Sequence, residues 1–230
     1  TIPDFNLRFG FWQAVVDSLI EMPKDISTKA KDLQKHLLMF AKAMAALDQG
    51  NVNLANQLAM ALDASLWQFS FDKSKSGNQR LSDREINWLA IASLELRGNV
   101  ASIKGNHEEA VELFENAIEK GEKSFVGDPP FYPRPVQESL AKAYLRIQDW
   151  ENARKAYQDV LPFRPNSGHA LFGIAKSYAL AGKKIKATQA YKNFLSSWRN
   201  ADPDSPHIKT AKTWLKTNQE DEDDLDIQIK

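Results

Sequence analysis

The stretch ESLAKAYLRIQDWENARKAYQDVLPFRP, residues 138–165, decides the fold of this chain. Its apolar residues return every three or four positions on both sides of Gln148 and Asp149, the pattern of two amphipathic helices joined by a short turn. The following stretch repeats it: Tyr144, Ala153 and Tyr157 reappear 34 residues on as Tyr178, Ala187 and Tyr191. Self-similarity at such a period predicts a stack of helical hairpins, each burying its apolar face against its neighbours.

The inter-helix turn recurs upstream. GNVNLA (50–55), GNHEEA (105–110), QDWENA (148–153) and GKKIKA (182–187) all close on Ala, the small residue that two closely crossing helices require. Gly opens three of the four, as expected where a helix ends in a left-handed residue; Gln148 is the exception. Val52, His107, Trp150 and Ile185 are read as the residues packing each second helix onto the first. Gly10, Trp12 and Val15 repeat the spacing of Gly50, Val52 and Ala55, so residues 1–23 read as half a repeat. Its partner helix is expected ahead of Thr1, as in a chain that begins mid-repeat.

The units at 134–167 and 168–201 resemble tetratricopeptide repeats (TPRs). Leu140, Ala141, Tyr144, Ala153, Tyr157 and Pro165 stand at the family's packing positions in the first. Leu171, Ile174, Ala175, Tyr178, Ala187 and Tyr191 do so in the second, which lacks the closing Pro. Leu94, Gly98, Ala110, Phe114 and Ala117 extend the likeness upstream, and Ala43, Gly50 and Ala55 further still. ELRGNVASIKG, DPPFYP and NSGHALFGIAKSYALAG are also similar to the C-terminal half of larger TPR-containing proteins, with His169 where an aromatic is more usual.

The resemblance implies an all-α fold, an α-solenoid of helix-turn-helix repeats. We expect one domain over 1–218: the half repeat 1–23, repeats at about 30–68, 84–121, 134–167 and 168–201, and a capping helix at 205–217. Ser205-Pro206 is a good helix start, and Ile208, Ala211, Trp214 and Leu215 form the stripe that would cover the last repeat. An acidic tail, 219–230, is expected to be disordered.

The composition is that of a globular chain: 43% hydrophobic and 26% charged residues, no cysteine, and a formal net charge of zero over 230 residues. Without cysteine there are no disulfides, thiolate zinc sites or thiol nucleophiles. No apolar run reaches the roughly 18 residues of a membrane span, and no signal peptide is visible; the compartment is left open. The tail gathers Glu220, Asp221, Glu222, Asp223, Asp224 and Asp226 against one lysine, which leaves the remainder net basic. A basic body with an acidic tail can interact with itself.

Two insertions interrupt the period. Residues 71–81 (FDKSKSGNQRL) are polar, and 121–135 (GEKSFVGDPPFYPRP) carry four prolines within seven residues. The second is either a rigid connector packed over the adjoining helices or the wall of a ligand site, formed by Asp128, Phe131 and Tyr132.

Catalytic signatures are thin. His36, His107, His169 and His207 show no metal-ligand spacing, and no phosphate loop, nucleophile elbow or carboxylate pair is present. No catalytic residue, metal or cofactor is assigned. Register points instead to binding. Asn99, Lys142 and Lys176 share a column of successive first helices, Arg146 lies one turn beyond Lys142, and His169 and Phe172 begin the next first helix.

Some TPR proteins hold a partner's C-terminal carboxylate at such positions, which implies a noncatalytic protein- or peptide-binding scaffold. Lys142, Arg146 and Lys176 would hold carboxylates and Asn99 would bond peptide backbone. The likeness is partial, because the equivalent residue in the earliest complete repeat is Met44. The alternative is the C-terminal half of an enzyme whose catalytic residues lie upstream. Near-neutral charge argues against a nucleic-acid partner.

Overall fold

The computed structural model describes the chain except residues 1–3, 24, 72–80, 125–131 and 229–230; for 4–5, 69–71 and 219–228 only the backbone is described. Among the described residues every regular element is a helix: α1 (Asp4–Phe9), α2 (Trp12–Ile20), α3 (Thr28–Asp48), α4 (Val52–Phe71), α5 (Asp83–Lys104), α6 (His107–Ser124), α7 (Val136–Arg146), α8 (Trp150–Gln158), α9 (Gly168–Leu180), α10 (Lys184–Ser197) and α11 (Pro206–Gln228). The expected all-α architecture of successive hairpins is present. None of these helices is long and apolar enough to cross a membrane.

The chain divides into two compact units, Thr1–Ser139 and Leu140–Lys230, with the boundary inside α7, whereas the sequence suggests one domain over 1–218. Contacts in a repeat array run mainly between neighbouring hairpins, so such an array subdivides readily. In unit 1, α3 pairs with α4 and α5 with α6, while α2 packs on α3 and α4 on α5. In unit 2, α9 packs on both α8 and α10, and α10 carries α11.

One turn geometry explains the hairpins. Gly10, Gly50, Gly105 and Gly182 have φ of 72°, 76°, 87° and 69°. The next residue then donates its N–H to the carbonyl five positions back: Phe11 to Asn6 (3.0 Å), Asn51 to Ala46 (2.7 Å), Asn106 to Ala101 (2.9 Å) and Lys183 to Tyr178 (3.0 Å). This closure satisfies a carbonyl left over at the helix end, and it requires a left-handed residue. Gln148 adopts the same conformation (φ 61°) without being glycine, and Asp149 donates to Tyr144 O at 3.0 Å. A side chain there strains against the carbonyl oxygen by roughly 1–2 kcal/mol. Gln148→Gly is therefore expected to stabilise unit 2 by about 1 kcal/mol in a urea titration, after the entropy that glycine loses on folding; no gain would show that Gln148 is not strained.

Two residues after each turn the second helix begins. Three residues further, Val15, Ala55, Ala110, Ala153 and Ala187 are all fully buried, the tight crossing that the Ala column anticipates. The other expected column holds only in part. Val52 and Trp150 are half-buried, but His107 is exposed and Ile185 is 81% exposed. Lys184 holds the position after Gly182 that Val52 holds after Gly50, so Ile185 sits one residue out of register.

The chain ends also differ from expectation. The short α1 packs on α2 and places a helix immediately before Gly10, where the reading put the partner helix ahead of Thr1. At the other end α11 buries Ile208 and Ala211 in one core with Phe172, Ala175, Tyr191 and Phe194. It runs to Gln228. No Pro or Gly lies between 219 and 228 to interrupt its hydrogen-bond ladder.

Candidate functional site

In unit 1 the expected site residues meet a buried polar cluster. Glu95 of α5 is fully buried, and three donors converge on its carboxylate: Tyr132 Oη at 2.7 Å, Ser139 Oγ at 2.7 Å and Arg134 Nε at 3.3 Å. Arg134 also donates to Leu7 O at 3.2 Å and stacks over the Trp12 ring at 4.7 Å. Arg8 grips Glu138 with two hydrogen bonds of 3.0 and 2.8 Å. Burial, and after it the Glu95 charge, pushes the Tyr132 phenol well above its ordinary range, so Tyr132 remains a donor at any working pH.

Tyr132 is thus buried against Glu95 and the Trp88 ring, with centroids 5.1 Å apart. Of the three residues read as connector or wall, Tyr132 is the one whose side chain is described. Asp128 and Phe131 lie outside the described residues. Asn99, one helical turn beyond Glu95, is 7% exposed and donates its amide to Glu95 O at 2.8 Å. That bond uses one of the two amide hydrogens of Asn99.

Unit 2 brings four of the expected residues together and adds a fifth. Lys142 of α7 and Lys176 of α9 are exposed, and both charges act on the half-buried imidazole of His207 in the first turn of α11. Burial and then these two lysines hold the His207 pKa below its ordinary 6.5. His169, at the start of α9, meets His207 edge to face with ring centroids 5.2 Å apart. Phe172, expected as a groove wall, is buried; its ring lies 4.3 Å from His207 and forms the floor beneath it. Arg146 is exposed at the last turn of α7, one turn beyond Lys142.

Local structure accounts for this convergence. Ser167 caps α9, accepting from Ala170 N at 3.4 Å, and so sets where His169 begins the helix. Phe172 is locked against Tyr191 and Phe194, with centroids 5.9 and 5.5 Å away. Ile208 and Ala211 seat α11 on the same core and thereby bring His207 to the Phe172 ring. Both charges that act on His207 are positive, and among the described residues Lys176 forms no ion pair. Exposed lysine ammoniums can donate charge-assisted hydrogen bonds to an anion. No group of three or more potential metal ligands occurs among the described residues.

A family model for the tetratricopeptide repeat matches residues 139–167, a span that takes in α8 and nearly all of α7. Over these residues the chain is similar to a tetratricopeptide repeat. Among solved structures, the second TPR domain of the human RPAP3 protein, determined by NMR in complex with the HSP70 peptide SGPTIEEVD, matches at 20% sequence identity and a TM-score of 0.43. The match covers 58% of this chain and 96% of that one. In a comparison with curated proteins nothing matches this chain.

Proposed function

We propose that the protein is a noncatalytic binding scaffold that captures an acidic segment of a partner protein on unit 2. Lys142 and Lys176 would hold carboxylates, Arg146 would extend the cationic surface by one turn, and the Phe172–His207 ring pair would supply an apolar footing. The observation that carries this reading is that Lys142, Lys176 and His169 of α7 and α9 act on or meet His207 of α11, whose ring rests on the buried Phe172. Charge-assisted hydrogen bonds from Lys and Arg orient a carboxylate, and the rings beside them exclude water from it.

Fluorescence anisotropy with a rhodamine-labelled tetraglutamate peptide, titrated with the full chain at low ionic strength, tests this. Lys142→Ala/Lys176→Ala is expected to weaken binding at least about tenfold, the loss of one or two charge-assisted contacts at roughly 1.4 kcal/mol per decade. Raising the salt concentration should weaken the wild type toward the variant, since exposed charges are screened. Equal affinity of variant and wild type sinks the proposal.

A further inference from the structure

We propose that His207 is itself a ligand of the captured carboxylate and holds it as an imidazolium, so that capture takes up a proton and strengthens as the pH falls. This rests on the scaffold reading above and adds its regulation. The sequence assigned His207 no binding role, and its position comes from the fold alone: the ring stands on Phe172, edge to face with His169, within the field of Lys142 and Lys176.

The groups facing His207 can be named element by element. From α7 comes Lys142, and from α9 come His169 and Lys176. From α10 comes Tyr191, which packs on Phe172 and whose phenol burial pushes up to about 12, so it contributes no charge near neutrality. On α11 the next charge is Lys209, paired with Asp204 at 2.9 Å. The unliganded site therefore resists a further positive charge on the His207 ring. A carboxylate seated between the lysines reverses that balance, because an opposite charge within a few ångströms favours the protonated imidazole.

The sign follows. In the free protein the His207 pKa lies below 6.5, and in the complex it is higher. Affinity is constant well above the complex's value, rises as the pH falls between the two values, and levels off below the free one. A difference of one unit corresponds to about tenfold in affinity. Glutamates of the probe, ionising near 4.3, stay largely charged at pH 5.5.

Tetraglutamate binding is measured at pH 7.5 and 5.5 for the full-length wild type and for His207→Gln. The wild type is expected to bind about tenfold tighter at pH 5.5 than at pH 7.5, and His207→Gln to lose most of that gain. An NMR titration of the His207 ring in the wild type, free and saturated with peptide, gives a second readout that needs no variant; its pKa should rise on saturation. A gain equal in wild type and variant, or a His207 pKa unmoved by peptide, overturns the proposal. Binding that depends on Lys142 and Lys176 but not on pH removes the role of His207 and leaves the scaffold standing. No binding at either pH removes both.

Discussion

Glu95→Ala is expected to destabilise unit 1 by about 3–5 kcal/mol, the range seen when one partner of a buried ion pair is removed. The carboxylate is fully buried, and its three donors are distant in sequence. Its removal strands Arg134, whose side chain is 12% exposed. Desolvation works against the Arg134 charge, but Glu95 first, and then Tyr132 and Glu138, outweigh it and raise its pKa. Without Glu95 the cost of burying the Arg134 charge is opposed mainly by the weaker pull of Glu138.

Glu95→Gln should fall between alanine and wild type. Its amide oxygen still accepts from Tyr132 or Ser139, but Arg134 loses its countercharge. Denaturant melts of the full chain followed by circular dichroism, with hydrogen exchange to assign the loss to unit 1, check this. A loss below about 1 kcal/mol for Glu95→Ala would mean that water replaces the carboxylate and that the cluster is not dry.

The second large effect is expected at Gly173. A Cβ built there meets three atoms of the Tyr157 ring at 2.4, 2.4 and 2.6 Å, closer than van der Waals contact allows. Tyr157 is 4% exposed on α8, so its ring has little room to retreat. Here α8 and α9 approach closely because one of them carries no side chain at the crossing. Gly173→Leu should cost about 3 kcal/mol or more, the upper end for overpacking a filled core. Gly173→Ala should cost less, since alanine regains roughly 1 kcal/mol of helix propensity. The clash also predicts coupling: in a Tyr157→Leu background the Gly173→Ala penalty should shrink or change sign in a double-mutant cycle. An additive pair would show that the ring is not the obstacle.

The hairpins were legible in the sequence because repeats impose the same contacts at the same spacing. Tyr144 and Tyr178 stand 34 residues apart, and the Ala that closes each turn is fully buried in all four copies. Gln148 shows the limit of reading residue types: the left-handed turn is present there without the glycine that advertises it.

The Glu95 cluster was not legible. Tyr132 and Arg134, inside the Pro-rich insertion, and Ser139, just beyond it, lie 37 to 44 residues downstream, and no period links them to α5. A shared column in a repeat predicts where a side chain starts, but Asn99 is buried and its amide donates to Glu95 O within α5. Lys142 and Lys176 stand exposed. His207 escaped notice because α11 is not a copy of the repeat, so its alignment with Lys142 and Lys176 exists only once Ile208 and Ala211 have seated the helix.

The most direct measurement is chemical-shift mapping of the isotopically labelled full chain during titration with tetraglutamate at pH 6. The amides of Lys142, Arg146, His169, Lys176 and His207 should move together along one binding curve, and the Lys142→Ala/Lys176→Ala variant should abolish that curve. Shifts confined to unit 1, or none at millimolar peptide, would contradict a carboxylate-binding scaffold centred on unit 2.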